Sequence, residues 1–146
     1  MRNRVDIAYQ LVMEPPAVDD YLRLRKESGL SARTREEAEN GINGAWATAC
    51  AIHVESGETV GMGRVISDGG WYFHIIDMAV LPDHQRKGIG DAILTALLDR
   101  VAEANANAYV CLLADPPGRR LYARHGFVDT APGSIGMRRR VQDTGV

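Results

Sequence analysis

Cysteine is scarce: Cys50 and Cys111 are the only two in 146 residues. Both sit inside apolar, strand-like runs, and neither has the spacing of a metal site. They read as small buried hydrophobes, with no basic neighbour in sequence to activate either thiol. An excess of one charge is also missing. The formal net charge of −2 at pH 7 gives no electrostatic case for nucleic acid or a membrane surface as partner. No apolar run approaches the ~20 residues of a membrane helix. The opening Met1-Arg2-Asn3-Arg4-Val5-Asp6 lacks the apolar segment of a signal peptide, so the cytoplasm is the expected compartment. Repeats, linkers and low-complexity runs are absent too. What remains is ordinary for a globular protein, 45% hydrophobic and 25% charged. Residues 1–146 are expected to form one domain with a proper core.

Ile7 to Met13 reads as a first strand. Pro15 and Pro16 open a helix that Gly29 ends. Thr34-Arg35-Glu36-Glu37 fits a capping box and predicts a short helix to about Asn40. Ala45–Val54 and Thr59–Ser67 read as strands joined by the turn Glu55-Ser56-Gly57-Glu58. Trp71–Leu81 is a nearly continuous apolar strand, as expected for a central position. Ile89, Ile93, Leu94, Leu97 and Val101 recur at helical spacing and predict a helix over 89–104. Ala108–Leu113 is a further buried strand. Asp115 as cap and Pro116 in the first turn start a shorter helix, closed near His125-Gly126. Phe127-Val128 and Ser134–Val141 are the last predicted strands. This order argues a mixed sheet with helices on both faces.

The most telling stretch joins the central strand to the long helix. An apolar strand stops at Pro82, a short basic loop with Gly88 and Gly90 follows, and a helix begins. Backbone N–H groups, a helix N-terminus and cationic side chains gather at one point, as phosphate binding requires. Other glycine loops do not fit. A P-loop needs Gly-x-x-x-x-Gly-Lys-Ser/Thr, which is absent. A dinucleotide fingerprint needs a third glycine where Ile93 stands.

The segment resembles the acetyl-CoA loop of the GNAT N-acetyltransferases, Gln/Arg-x-x-Gly-x-Gly/Ala, here Gln85-Arg86-Lys87-Gly88-Ile89-Gly90. About 30 residues on, Leu121-Tyr122-Ala123-Arg124-His125-Gly126-Phe127 is similar to the family's Leu-Tyr-x-x-x-Gly-Phe ending. The two motifs cover about residues 71 to 128. The resemblance implies an α/β (α+β) fold. Its sheet would be mixed, mostly antiparallel and six- to seven-stranded, with helices on both faces and a splay between the two central strands. It implies acetyl-CoA as co-substrate, no metal, and direct attack by a primary amine without an acyl-enzyme. Main-chain groups of Met78 and Val80 would pair with the pantetheine arm, with Ala79 between them also at the cofactor. The amides of Arg86 to Gly90 would hold the diphosphate, with Gln85 and the charges of Arg86 and Lys87 beside them.

Tyr122 matches the family tyrosine that protonates the departing thiolate, against the alternative of a core tyrosine. The family glutamate on the strand before the loop is missing, and Ile76 stands at one such position. His74, where some members carry their base, is the candidate here, against a merely hydrogen-bonded strand histidine. By alternation, His74, Ile76, Met78 and Val80 are expected to share one face and Asp77 to take the other. Where the family commonly shows Asn and then Ala, this chain has Asp115 and Gly118. Asp115 could bond the pantetheine amide, although its charge suits an anionic cofactor poorly.

Acceptor candidates are Tyr21, Arg25, Arg33, Trp46, Trp71, Tyr72, Asp77 and Ser134, where aromatic faces could meet an amine, against the alternatives of Trp46 and Tyr72 as core, Arg25 and Arg33 as solvated surface, and Asp77 as a carboxylate bonded to nearby backbone or an arginine. The basic run Arg138-Arg139-Arg140 reads as an edge that resists aggregation rather than a nucleic-acid patch. The family often dimerises, so a homodimer stays open. A non-catalytic acetyl-CoA-binding regulatory module is the alternative function. It needs the loop but neither Tyr122 nor a base.

Overall fold

The computed structural model describes residues 6–142. The chain divides after Leu112 into two compact units. The first holds a five-stranded sheet in the order β1-β2-β3-β4-β5. Its strands are β1 (Tyr9–Val12), β2 (Ala47–His53), β3 (Glu58–Ser67), β4 (Tyr72–Val80) and β5 (Tyr109–Cys111). The first four run antiparallel to their neighbours, and β5 joins β4 in parallel. Helices α1 (Val18–Glu27) and α2 (Arg35–Gly41) precede β2, and α3 (Ile89–Ala104) links β4 to β5.

Local chemistry sets the helix limits. Thr34 Oγ1 accepts the Glu37 N–H at 3.1 Å, and the Glu37 carboxylate accepts the Thr34 N–H at 3.0 Å. The capping box therefore forms, and α2 starts where it predicts. Helix α3 buries Ile89, Ile93, Leu94, Leu97 and Val101 along one side, as their spacing requires. It lies close to β3 because that strand offers two glycines. A Cβ on Gly63 would stand 2.9 Å from Ile93 Cγ2 and 3.1 Å from Leu97 Cδ1. A Cβ on Gly61 would meet Ile89 Cγ2 at 2.9 Å. Arg64, the next residue after Gly63, points to the opposite face and reaches the Gly41 carbonyl that ends α2, at 2.9 Å. Helices α1 and α2 thus cover the face that α3 leaves.

Strand β4 breaks its own alternation. Asp77 has φ 57, in the left-handed region. Ile76 pairs with Arg64 and Ala79 with Met62, so Asp77 and Met78 together oppose Gly63. This is a β-bulge, one residue more on β4 than on β3. It overturns the expected sharing of faces. His74 and Ile76 lie on the α1–α2 face, opposite Ile66 and Arg64. Met78 turns to the α3 face, where its Sδ crowds the Gly63 Cβ position at 2.5 Å. Val80, opposite Gly61, shares that face. Asp77, expected on the far side, joins Ile76 on the α1–α2 face. Counting by twos cannot register an inserted residue.

The β4–β5 pairing covers only Tyr72–His74 against Tyr109–Cys111. Strand β5 ends at Cys111, and among the described residues Ile75–Val80 has no strand on that side. The β4 edge is thus open where a splay from the next strand was expected.

In the second unit, a single 3₁₀ turn at Pro116–Gly118 leads into α4 (Arg119–Arg124), and Gly126 closes it with φ 86. Asp115 stands at the cap position but its side chain makes no capping bond. The strands expected at Phe127-Val128 and Ser134–Val141 do not form. Pro132, Gly133 and Gly136 interrupt the apolar alternation, and Val128, Ile135 and Met137 are exposed. The sheet therefore has five strands rather than six or seven.

Gly63→Ala should destabilise the protein by about 1–3 kcal/mol through overpacking against α3. Urea unfolding checks this, and an unchanged midpoint would mean that α3 rides higher on β3 than described.

Candidate active site

The α1–α2 face of β4 centres on the Asp77 carboxylate. Arg25 Nη1 donates to its Oδ1 at 2.5 Å. Its Oδ2 accepts from Arg64 Nε at 2.9 Å and from the Tyr21 hydroxyl at 2.6 Å, with Arg64 Nη2 at 2.8 Å. Each arginine also holds a backbone carbonyl. Arg25 bonds Ser31 between α1 and α2, and Arg64 bonds Gly41. The Tyr21 ring lies beneath both guanidinium groups, with centroid distances of 5.9 and 5.5 Å. Burial, reinforced by the bond to Asp77, raises the Tyr21 pKa. Its hydroxyl stays a donor.

A cavity of about 350 Å³ opens beside this cluster, lined by Tyr21, Arg25, Arg33, Glu37, Arg64 and Asp77, with Ile76 and Ala38 as apolar wall. Three guanidinium groups there face two carboxylates. Of the sequence candidates, Tyr21, Arg25, Arg33 and Asp77 meet at this cavity. Arg64 and Glu37 were not anticipated. The signal for Arg64 was present, since a charge inside the apolar run Thr59–Ser67 must find a partner. Trp46 does not reach this face. It packs edge-on to Phe73, and Arg100 of α3 lies over its ring at 4.6 Å.

Further along the same face, His74 Nδ1 lies 3.3 Å from Cys111 Sγ, which also bonds the Tyr72 hydroxyl at 2.7 Å. Strand pairing brings His74 opposite Cys111, so this thiol has a basic neighbour in space that it lacks in sequence. Burial lowers the His74 pKa, which keeps the imidazole neutral at neutral pH. Tyr72 stacks on Tyr109, and Trp71 meets both edge-on at the sheet margin. Cys50, by contrast, donates to the Glu14 carbonyl, and burial pushes its thiol up to about 12.

At the other end of β4, the turn after Pro82–His84 contains two left-handed residues, Arg86 (φ 62) and Gly88 (φ 80). Gly88 caps α3 without a side chain, and nothing lies within 4 Å of its Cβ position. The first amides of this 16-residue helix have no carbonyl one turn back, so their N–H groups suit an anion. The Gln85 side chain does not extend this cradle. Its Nε2 donates to the Val80 carbonyl at 3.0 Å and ties the loop to the strand.

In the second unit, Tyr122 lies against Gly118. A Cβ there would stand 2.7 Å from the ring and 3.1 Å from the hydroxyl. This contact accounts for glycine where the family commonly has alanine. Burial and the Asp115 carboxylate raise the Tyr122 pKa, so the phenol holds its proton.

Asp77→Asn leaves two arginines, each 7% exposed, without their shared counter-charge. It should cost about 3–5 kcal/mol in denaturant unfolding. A loss under ~1 kcal/mol would show that the ion cluster is solvated like a surface pair.

Comparison with known proteins bears on this arrangement. Residues 15–127 match the profile of the Acetyltransferase (GNAT) family. A crystal structure from meticillin-resistant Staphylococcus aureus, described as a “Protein of Unknown Function” and “Probable Acetyltransferase”, superposes with a TM-score of 0.85 at 36% identity, over 90% of this chain and 98% of that one. The “Uncharacterized N-acetyltransferase ycf52” of Pyropia yezoensis is 31% identical over 78 residues, 53% of this chain and 44% of that protein. The “GCN5-related N-acetyltransferase 3, chloroplastic” of Arabidopsis thaliana is 28% identical across 92% of this chain and 60% of that protein. The chain thus spans less than half of the former and three-fifths of the latter. With the profile matched across most of its length and a solved relative of nearly the same extent, this chain belongs to the GNAT family of acetyltransferases.

Proposed function

We propose that the protein moves an acetyl group from acetyl-CoA to the primary amine of a small acceptor by direct attack. One observation carries this reading. The free edge of β4 and the glycine turn at the foot of α3 are consecutive along a single strand, as a long, phosphate-ended thioester requires. Acetyl-CoA supplies an acetyl group already activated as a thioester.

Met78 and Val80 would offer main-chain groups along the open edge, with Ala79 between them. The Leu81 N–H bonds the Val60 carbonyl on β3, so the polar groups of Val80 face the gap instead. The Val80 carbonyl already accepts Gln85 Nε2, which leaves its second lone pair for a ligand. The amides from Arg86 to Gly90 would take the diphosphate. The dipole of α3 adds about 0.3–1 kcal/mol per favourable charge. Arg86 and Lys87 bring cationic side chains to the same turn. Asp115, a poor match for an anionic carrier, is better suited to holding the Tyr122 proton.

The acceptor would occupy the cavity beside Asp77, with Trp71 and Tyr72 at the sheet margin as outer aromatic contacts. His74 suits the base. A tautomer that donates its Nδ1 proton to Cys111 leaves Nε2 free to take a proton from the amine, directly or through water. Tyr122 suits the acid, because a phenol with a raised pKa retains the proton that the departing thiolate needs. Both thiols are free, which suits a reducing compartment such as the cytoplasm.

Gly88→Glu tests the cradle. It should abolish acetyl-CoA binding by calorimetry while the protein stays folded by circular dichroism, and unchanged affinity would remove the assignment. Binding without turnover across a broad amine panel would mark a regulatory module instead. The pH–rate profile tests the chemistry. The acidic limb of kcat/KM should fall below the ordinary histidine value of about 6.5, because the active form is the neutral imidazole and burial favours it. His74→Ala should erase that limb. Tyr122→Phe should lower kcat by 10²-fold or more, as loss of a general acid does, with little change in acetyl-CoA affinity.

A further inference from the structure

We infer that the acceptor carries an anionic group, a carboxylate or a phosphate, beside the amine that receives the acetyl group. This rests on the acetyl-transfer reading and concerns the cavity at Asp77.

The argument starts from an unequal sharing. One carboxylate serves two guanidinium groups, both more than nine-tenths buried. The third, Arg33, pairs loosely with Glu37 at 3.7 Å, and both side chains are about half exposed. Arg33 and Glu37 offset each other, so the buried trio of Arg25, Arg64 and Asp77 holds one positive charge in excess. Donor counting points the same way. Each guanidinium has five N–H groups. Arg64 uses three, two toward Asp77 and one toward Gly41. Arg25 uses four, one toward Asp77 and three toward Ser31. Among the described residues, two N–H groups of Arg64 and one of Arg25 are left over, on residues that line the cavity.

A cationic acceptor such as a polyamine would meet these walls unfavourably. Asp77 cannot turn to greet it, because its oxygens already hold three partners. Planar guanidinium groups fit carboxylate and phosphate oxygens in pairs. A volume near 350 Å³ suits a small molecule at the lower end of ligand pockets. An amino acid or a phosphorylated small amine meets these conditions.

The test is a set of matched acceptors. Amino acids are compared with their primary amides, aminoalkyl phosphates with the corresponding amino alcohols, and polyamines complete the panel. Free thiol release gives kcat/KM for each. The anionic member of each pair should be favoured at least tenfold, and the carboxylate and phosphate arms show which oxyanion is used. Arg33→Gln should narrow that ratio at least threefold, with calorimetric affinity for acetyl-CoA retained. A direct readout accompanies turnover. An N-acetyl amino acid should bind the protein in calorimetry more tightly than its amide. Equal rates and affinities within pairs, or a preference for polyamines, would overturn the inference while leaving acetyl transfer intact. Anion-selective binding with no turnover on any amine would instead uphold the oxyanion pocket and remove the acetyl-transfer reading.

Discussion

The carboxylate of Asp77 is the interaction on which the first unit turns. It joins α1 through Tyr21 and Arg25, β3 through Arg64, and the end of α2 through the Arg64 bond to Gly41. Without it two arginines would be buried as unpaired cations, at a cost larger than most single contacts contribute. The same residue also makes the bulge. Its φ of 57 suits glycine, asparagine or aspartate, and of these only aspartate brings the negative charge. Backbone shape and charge balance thus meet in one residue.

That bulge explains how one strand serves two purposes. Before it, His74 and Ile76 look toward α1 and α2, where the polar cavity lies. After it, Met78 and Val80 look toward α3 and the apolar core. A regular strand would have sent all four to the same side. The polar face and the packed face can each be satisfied because β4 changes sides once.

Much of this was legible in the sequence. Helix α3 could be bounded from its apolar spacing, the start of α2 from Thr34 and Glu37, and the open edge of β4 from the family resemblance. Each depends on neighbours close in the chain or on a motif that forces its own geometry. The bulge was not legible, because Asp77 looks like any polar residue in an alternating run. Arg64 shows only as a charge in an apolar run, because its partner Asp77 lies on another strand. The pairing of His74 with Cys111 needs the parallel register of β4 and β5, which no local pattern encodes. No C-terminal strands form, since alternation alone cannot outweigh Pro132, Gly133 and Gly136 among the described residues.

The two thiols differ in a way that has practical value. Cys50 is sealed in the sheet with its proton held to about 12, whereas Cys111 is partly exposed and touches the imidazole of His74. A gentle alkylating reagent should therefore label one position and spare the other. A fluorophore or nuclear-spin tag placed there would sit within a few ångströms of His74, and could report occupancy of the neighbouring cleft without any change of sequence.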